Sequence, residues 1–232
     1  LPLKMGVEAR EIGTPVDVEV RPLSGAGRSA ETPDAPVFAA GRVYAISPNS
    51  NDTFRLVNRL LAAGVPVSRT RRALDSDDSP LPAGTFLVAP ESDVADSVAA
   101  SAAGLRESIT ELGRELDGAL ESDARRLTAP RIGIYRGYVP STEEGWTRFV
   151  LDDYRFSYRS LTSSDVREGG LAADYDVVLL PHQAVRQIHR GFDAASYARE
   201  YSGGLGHAGA ASLREFAGDG GTLVAWDAAA RY

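Results

Sequence analysis

The chain has 232 residues, 43% of them hydrophobic, so it is long enough for one large or two small domains with a sizeable core. Thirty-two acidic residues against 25 basic ones give a formal net charge of −7, which disfavours binding to the phosphate backbone of nucleic acids. No apolar run approaches the roughly 20 residues of a membrane-spanning helix, and a chain without cysteine has neither disulfides nor a thiol nucleophile.

Residues 1–36 are predicted to be an extended N-terminal segment followed by a linker. Partial alternation in Val16, Val18 and Val20 is typical of a strand. Residues 24–36 are rich in Gly, Ser, Ala and Pro, which is the composition of a flexible connector. Because the chain starts at Leu1 and stops where a new turn is predicted, we expect both ends to continue in a longer protein.

Residues 37–128 are predicted to form a smaller N-terminal α/β portion. Three runs rich in β-branched residues predict strands, and an apolar stripe that stops at Gly64 predicts a helix. The strands are predicted at 42–47, 65–68 and 85–89, and the helix at 53–63. The stretch 105–120 repeats leucine and isoleucine at helical spacing but contains glycines, so a broken helix and a short strand followed by a helix both fit.

Residues 129–232 are predicted to form a second α/β domain, because strand and helix patterns alternate there. Strands are predicted at 131–138, 157–161, 176–180 and 222–226, helices at 142–154 and 207–217, and a long loop at 182–207. The nearly unbroken apolar run at 176–180 is typical of a parallel strand covered on both faces. Right-handed crossovers then favour a doubly wound, flavodoxin-like sheet.

The helix predicted at 142–154 carries Trp146, Phe149 and Val150, which we expect to face the sheet. An alternative is that Tyr138 and Trp146 line a surface that meets another domain, a sugar or a peptide.

Several polar residues and glycines are predicted to lie near the carboxyl edge of this sheet, where ligands of open α/β folds usually bind. His182 and Gln183 follow the third strand, and the glycines of the run Tyr201–Gly209 either present backbone amides to an anion or form a structural turn. The candidate pocket residues are Tyr138, His182, Gln183, Gly203, Gly204 and Asp227. None of them is assigned a catalytic or metal-binding role.

Two stretches of the second domain resemble a known family. PRIGIYRGYVPSTEEGWTRFVLDDY (Pro130–Tyr154) and LREFAGDGGTLVAWD (Leu213–Asp227) are similar to the class I glutamine amidotransferase-like domain that follows the peptidase in some bacterial M14-type zinc carboxypeptidases. The most specific part is EEGWTRFVL (Glu143–Leu151). Ser47–Arg69 and Leu81–Pro90 resemble the segment that precedes this domain.

The resemblance implies a flavodoxin-like, class I glutamine amidotransferase-like doubly wound parallel sheet, truncated at its C-terminus. It places the nucleophile turn of that family at residues 226–228, where this chain has Asp227 in place of a cysteine. Glutaminase chemistry is therefore not expected. No cofactor is implied in this fragment, because the zinc would belong to an upstream peptidase domain, which is also the implied partner. The parent protein would be exported to the periplasm or the extracellular space.

Three functional hypotheses remain, of which the first is preferred. It is a noncatalytic accessory domain with a structural, substrate-access or interaction role, and it predicts an exposed apolar face. The second is a module that binds a small ligand such as a peptide in a pocket around Tyr138, His182 and Asp227. The third is a hydrolase that uses Asp227 and His182, which predicts a short hydrogen bond between these two side chains and a raised pKa for one of them. The structural alternative for Asp227 is the N-cap of a following helix.

Overall fold

The structure is a computed structural model that describes residues 13–14, 42–73, 80–89, 109–112, 123–138, 141–198 and 202–232. The chain forms two compact units, Leu1–Thr128 and Ala129–Tyr232. Apart from Gly13 and Thr14, the segment and linker predicted at residues 1–36 lie outside the described residues.

The described part of the first unit contains an antiparallel sheet of five strands in the order β4-β1-β3-β2-β5. Its elements are β1 (Val43–Ile46), α1 (Asn51–Ala62), β2 (Val67–Thr70), β3 (Phe86–Val88), β4 (Ile109–Leu112) and β5 (Ala124–Arg126). β4 lies in the stretch 105–120, which the sequence predicts either as a broken helix or as a short strand followed by a helix. Its four residues form a strand. The rest of that stretch lies outside the described residues.

Helix α1 covers one face of this sheet. It begins at the side chain of Ser50, which accepts a hydrogen bond from the backbone N–H of Asp52, and the chain turns away from it at Gly64, whose φ of 76° favours glycine. Leu56 and Leu60 are fully buried on its inner face. They pack into a cluster whose sheet residues are Tyr44, Ile46, Val67, Phe86 and Val88.

The second unit contains, in its described residues, a parallel sheet of four strands in the order β7-β6-β8-β9 with helices between the strands. Its strands are β6 (Ile132–Tyr135), β7 (Tyr158–Leu161), β8 (Val177–Leu180) and β9 (Thr222–Ala225). Its helices are α2 (Thr142–Asp153), α3 (Ser163–Glu168), α4 (Leu171–Asp174), α5 (Val185–Arg190) and α6 (Gly206–Gly218), followed by a 3₁₀ helix (Asp227–Arg231).

The core of the second unit lies between one face of the parallel sheet and the helices after β7. Val178 and Leu180 of β8 are buried on this face, together with Phe216 of α6. Further members of this cluster are Tyr135, Leu161, Val166, Leu171, Ile188, Leu205, Leu213 and Ala229. Burying this many large apolar side chains is the main favourable contribution to the stability of the unit.

The loop predicted at 182–207 is wrong in part, because it contains α5. This helix has six residues, of which Ile188 is buried, so it is too short to show a helical repeat of apolar residues. Two other short helices, α3 and α4, were also not predicted. The sequence carries a marker for the first, since Thr162 and Asp165 form a capping box at its start.

The prediction that Trp146, Phe149 and Val150 face the sheet is wrong. These side chains are 63%, 59% and 50% exposed. The buried face of α2 is instead formed by Glu144 and Leu151. The exposed residues and the buried residues of α2 each repeat at helical spacing, on opposite faces of the helix. Periodicity alone therefore favours the more apolar face as the buried one.

Polar contacts explain why the less apolar face of α2 lies against the sheet. The guanidinium of Arg148 hydrogen-bonds to the buried carboxylate of Glu144 and donates to Ser160 of β7 at 2.8 Å. It also lies over the ring of Tyr158, 5.5 Å from the ring centre. A cation–π contact and a hydrogen bond, both made by an arginine that is ion-paired within α2, thus join this face to β7.

Candidate functional site at the carboxyl edge of the parallel sheet

All four strands of the second unit run in the same direction, so the segments that follow them meet at one edge of the sheet. These segments are 136–138 after β6, 162–164 after β7, 181–183 after β8 and 226–228 after β9. The six candidate residues lie in these segments or in the run that precedes α6. Because crevices at this edge are the usual ligand sites of open α/β sheets, the side chains here define the candidate site.

Two of the candidates, His182 and Asp227, contact each other directly. The Nδ1 atom of His182 lies 2.8 Å from Oδ2 of Asp227. Asp227 has a φ of 54°, a left-handed conformation that is uncommon outside glycine. The interpretation of Asp227 as an N-cap is wrong, because the N-cap of the 3₁₀ helix is Trp226.

The proton arrangement of this pair follows from its distances. The backbone N–H of Ala228 lies 3.4 Å from the same Nδ1 atom, but one nitrogen cannot both donate and accept in one tautomer. We assign the proton to Nδ1, because the contact with the carboxylate is shorter and is charge-assisted. His182 then donates to Asp227 and keeps Nε2 as an acceptor.

The contact that the hydrolase hypothesis requires is therefore present. An aspartate beside a histidine can orient the imidazole so that Nε2 takes up a proton. The carboxylate of Asp227 is open to solvent, with 72% of its side chain exposed, against 35% for His182. Such exposure weakens the electrostatic effect of the carboxylate, since water screens it.

Gln183 follows His182 in the chain and is buried, with 8% of its surface exposed. A Cβ atom added to Gly137 would come within 2.9 Å of its Nε2 atom. The side chain of Gln183 thus occupies the space at the end of β6 that a larger residue at position 137 would need. Its position indicates a packing role between the ends of β6 and β8.

Gly203 and Gly204 pack against the end of α5 backbone to backbone. A Cβ atom on Gly204 would lie 2.4 Å from the carbonyl oxygen of Ile188, and one on Gly191 would lie 2.0 Å from the carbonyl oxygen of Gly203. Glycine is required at such close approaches because it has no side chain. Of the two interpretations of this run, the contacts favour the structural turn.

Tyr138 belongs to an exposed aromatic group. Its ring packs edge-on against Phe192 and Tyr197, with centroids 6.3 and 6.0 Å away, and 42% of its surface is exposed. Edge-to-face contacts of this kind stabilise the arrangement beyond the area they bury. The group holds the segment after β6 against the segment that follows α5.

A cavity of about 180 Å³ opens beside Tyr138 at the ends of β6 and β7. Its walls are Arg136, Gly137, Tyr138, Thr162, Ser163, Ser164, Arg167, Ser202 and Gly203. Of the candidate residues, Tyr138 and Gly203 line it, whereas His182, Gln183, Gly204 and Asp227 do not. The site predicted as one pocket is thus divided into a cavity and a separate His182–Asp227 pair on the same edge.

Sequence reasoning missed the arginines and hydroxyls of this cavity. Arg136 comes directly after the first strand of the sheet, and Thr162, Ser163 and Ser164 come directly after the second. That placement was the available marker, because residues following parallel strands meet at one edge. Arg167 does not follow a strand directly. The capping box of Thr162 and Asp165 at the start of its helix was the available marker for it.

Tyr135 and Ser163 connect the cavity wall to the core. Their hydroxyl oxygens lie 3.2 Å apart. Burial raises the pKa of the Tyr135 hydroxyl, while the hydrogen bond with Ser163 and the positive charge of Arg167 act in the opposite direction. The tyrosine therefore stays neutral at physiological pH and adds no negative charge to the cavity.

The remaining histidines do not form a metal site with His182. The rings of His189 and His207 lie 5.1 Å apart, in edge-to-face contact. Within the described ranges, no group of three or more His, Cys, Asp or Glu side chains is arranged to hold a metal ion. None of the helices described here has the length and apolar character needed to cross a membrane.

The first unit has a wider concavity of its own, with a volume of about 610 Å³. Four arginines line it: Arg69, Arg71, Arg125 and Arg126. Arg69 is committed to the fold, because its Nε donates to the carbonyl of Gly84 and its guanidinium lies over the ring of Phe86.

Comparison of the chain with known proteins finds no matching family model and no matching curated protein.

Proposed function

We propose that the chain is a noncatalytic, class I glutamine amidotransferase-like accessory domain of an M14-type zinc carboxypeptidase. In this proposal it packs against the peptidase domain of the same parent polypeptide and restricts or orients the access of substrates to that domain. The zinc then belongs to the peptidase domain. The strand order β7-β6-β8-β9 supports a flavodoxin-like topology, because it places the first strand of the unit between the second and the third.

The observation that carries the proposal is the apolar stripe on α2, formed by Trp146, Phe149 and Val150. All three side chains are at least half exposed, and the rings of Trp146 and Phe149 are in edge-to-face contact at 5.7 Å. Large aromatic side chains grouped on a surface are typical of protein–protein interfaces, where tryptophan often dominates the binding energy. A peptidase domain is the partner that the sequence resemblance supplies.

Asp227 supports the noncatalytic part of the proposal. It follows β9 with a positive φ, as does a nucleophile held on a strained turn between strand and helix. Its carboxylate cannot replace a thiolate in attack on an amide efficiently. In this proposal the turn keeps the backbone conformation of a nucleophile turn, while its side chain is unsuited to the reaction.

Binding to a zinc carboxypeptidase domain of the resembled kind tests the proposal. The whole chain is mixed with that domain, and the dissociation constant is measured by isothermal titration calorimetry. We expect a complex that Trp146→Ser weakens by about tenfold or more, as expected for a central aromatic residue of an interface. Glutamine hydrolysis by the chain should stay at the level of buffer alone.

The matched control is Leu223→Ser, which changes another exposed apolar side chain of the same unit. It should leave the affinity unchanged, and thermal unfolding verifies that both variants remain folded. Failure to form a complex, or equal affinity of the Trp146→Ser variant and the unchanged chain, would contradict the proposed function.

The contact between His182 and Asp227 favours hydrolysis as a second candidate function. If the pair is catalytic, the chain hydrolyses an activated ester such as p-nitrophenyl acetate, and His182→Gln and Asp227→Asn each abolish that activity. Residual activity that both variants retain would instead exclude a role for the pair.

A further inference from the structure

We propose that the cavity at the ends of β6 and β7 binds a small oxyanion, the carboxylate or phosphate group of a small ligand. The proposal goes beyond the accessory role and is independent of it, because none of the residues in the apolar stripe of α2 lines this cavity.

The cavity is lined by positively charged side chains. Arg136 and Arg167 both line it, and neither forms an ion pair with any of the described residues. Arg167 is held by the carbonyl oxygen of Gly204 and by Ser164 Oγ, which are both uncharged. The side chain of Arg136 has no hydrogen-bond partner in the described part of the chain. Two guanidinium groups at one cavity, neither with an ion-pair partner among the described residues, favour an anionic occupant.

An acidic residue, Asp165, lies next to the cavity wall, but its carboxylate is hydrogen-bonded to Thr162. The carboxylate of Asp165 accepts hydrogen bonds from the backbone N–H and from the hydroxyl of Thr162, both at 2.7 Å. It serves as the reciprocal half of the capping box of α3. Asp165 thus lowers the net positive charge of the region but is not one of the residues that line the cavity.

The hydroxyl groups of the wall add donors. Ser164 Oγ lies 3.5 Å from the guanidinium of Arg167 and can only accept from it, so its own proton, which has no acceptor among the described residues, can be donated to a ligand. The hydroxyl of Ser163 is already shared with Tyr135. A wall with two arginines and the Ser164 hydroxyl is rich in donors, and an oxyanion supplies acceptors for them.

The volume limits the size of the bound group. About 180 Å³ is below the range of roughly 300–1,000 Å³ that is typical of pockets for drug-sized ligands. The cavity therefore fits an anionic group or a small metabolite, with any larger part of the ligand extending to the surface. Its place at the carboxyl edge of a parallel sheet is the usual one for small ligands.

Two probes distinguish the sources of the anion. Inorganic phosphate and acetate are titrated separately into the whole chain, labelled with ¹⁵N, and the amide signals of Gly137 and Ser164 are followed by NMR. Saturable shifts with phosphate support a phosphate-bearing ligand, and those with acetate support a carboxylate-bearing one. Arg136→Gln should raise the dissociation constant of the bound probe about tenfold or more, the loss expected for a charge-assisted hydrogen bond.

The control variant is Arg126→Gln, which removes an arginine from the concavity of the first unit and should leave the shifts unchanged. Arg167→Gln should weaken binding as well, and its thermal unfolding is measured because Arg167 also holds Gly204. The proposal is overturned if neither anion gives saturable shifts, if Arg136→Gln binds as tightly as the unchanged chain, or if Arg126→Gln loses binding to the same extent.

Discussion

Asp176 accepts hydrogen bonds from three nitrogen atoms of Arg131 and thereby joins the start of β8 to the start of β6. Its carboxylate accepts the backbone N–H of Arg131 at 2.8 Å and the guanidinium through Nη2 at 2.7 Å and Nε at 3.2 Å. These hydrogen bonds lower the pKa of the Asp176 carboxyl below its ordinary value. The guanidinium also donates to the carbonyl of Ala173, so the pair connects the two strands and the end of α4.

The pH dependence of stability should report this contact. Because the pKa of Asp176 is lower in the folded chain than in the unfolded one, its stabilising effect is fully present above the unfolded pKa of about 3.9 and is lost as the pH falls through the folded value. Asp176→Asn is therefore expected to be less stable than the unchanged chain at neutral pH and to approach it in strong acid. Urea unfolding over the acid range measures the difference.

Arg131→Gln provides the matched test, because it removes the cation that lowers this pKa. It should flatten the same part of the pH profile, and the double variant should add little to either single change. A constant stability difference between Asp176→Asn and the unchanged chain at every pH would refute this account.

A second prediction concerns the backbone at Asp227. Asparagine and aspartate tolerate the left-handed region better than other residues with a side chain, in which that conformation costs about 1–2 kcal/mol. Asp227→Asn should keep the free energy of unfolding within about 0.5 kcal/mol, because an amide oxygen still accepts from His182. Asp227→Ala should lose about 1 kcal/mol or more, since alanine is disfavoured at this φ.

Asp227→Gly separates the two contributions. Glycine removes the side chain contact but fits the positive φ, so this variant should be more stable than Asp227→Ala in denaturant unfolding. If the glycine and alanine variants unfold at the same denaturant concentration, the backbone conformation of Asp227 contributes nothing measurable.

A third prediction compares two glycines that both have positive φ. Gly191 (φ 61°) meets the backbone of Gly203, whereas a Cβ atom on Gly170 (φ 68°) would meet nothing within 4 Å. Gly170→Ala should cost about 1–2 kcal/mol from the left-handed conformation alone. Gly191→Ala should cost a further 1–3 kcal/mol or so, because the chain must move away from the added atom. Chemical denaturation of the two variants gives the difference directly, and equal costs would show that the close approach is not needed.

The sequence predicted the strands and long helices of the second unit, and β1, β2, β3 and α1 of the first, because these elements have strong apolar patterns. It did not predict β5 and left β4 open. The run at 176–180 and the helix predicted at 53–63 correspond to β8 and α1 within two residues at each end. Each buries apolar side chains at regular positions, and such regular burial is what creates a readable pattern. The flavodoxin-like topology stays a proposal, and the parallel four-stranded sheet is what the structure shows.

The orientation of α2 could not be read from periodicity. Trp146 and Phe149 form the more apolar stripe, yet Glu144 and Leu151 form the face that is buried. The deciding contacts join Arg148 to residues of β7, which are distant in sequence from the apolar stripe and carry no repeat of their own. A preference that depends on a tertiary hydrogen bond and a tertiary cation–π contact is invisible to a local pattern.

The six candidate residues lie near the carboxyl edge of the sheet, and the arginines and hydroxyls of the cavity at this edge were not among them. Residues that directly follow a strand, such as His182, can be placed from sequence because the strand fixes their position. Arg167 was not placed there, because it lies on α3, a six-residue helix that was not predicted. The contact of His182 with Asp227 requires β8 and β9 to be neighbours in the sheet. It can therefore be predicted only once the order of the strands is known.

Strand β9 has a consequence for how this molecule behaves in concentrated solution. It pairs with β8 on one side and is the last strand of the described sheet, with Leu223 and Val224 each 40% exposed. An edge strand that carries apolar side chains, and has neither lysine nor proline to block it, can recruit a strand from a neighbouring molecule. Storage at high protein concentration should therefore promote self-association along this strand while both units remain folded.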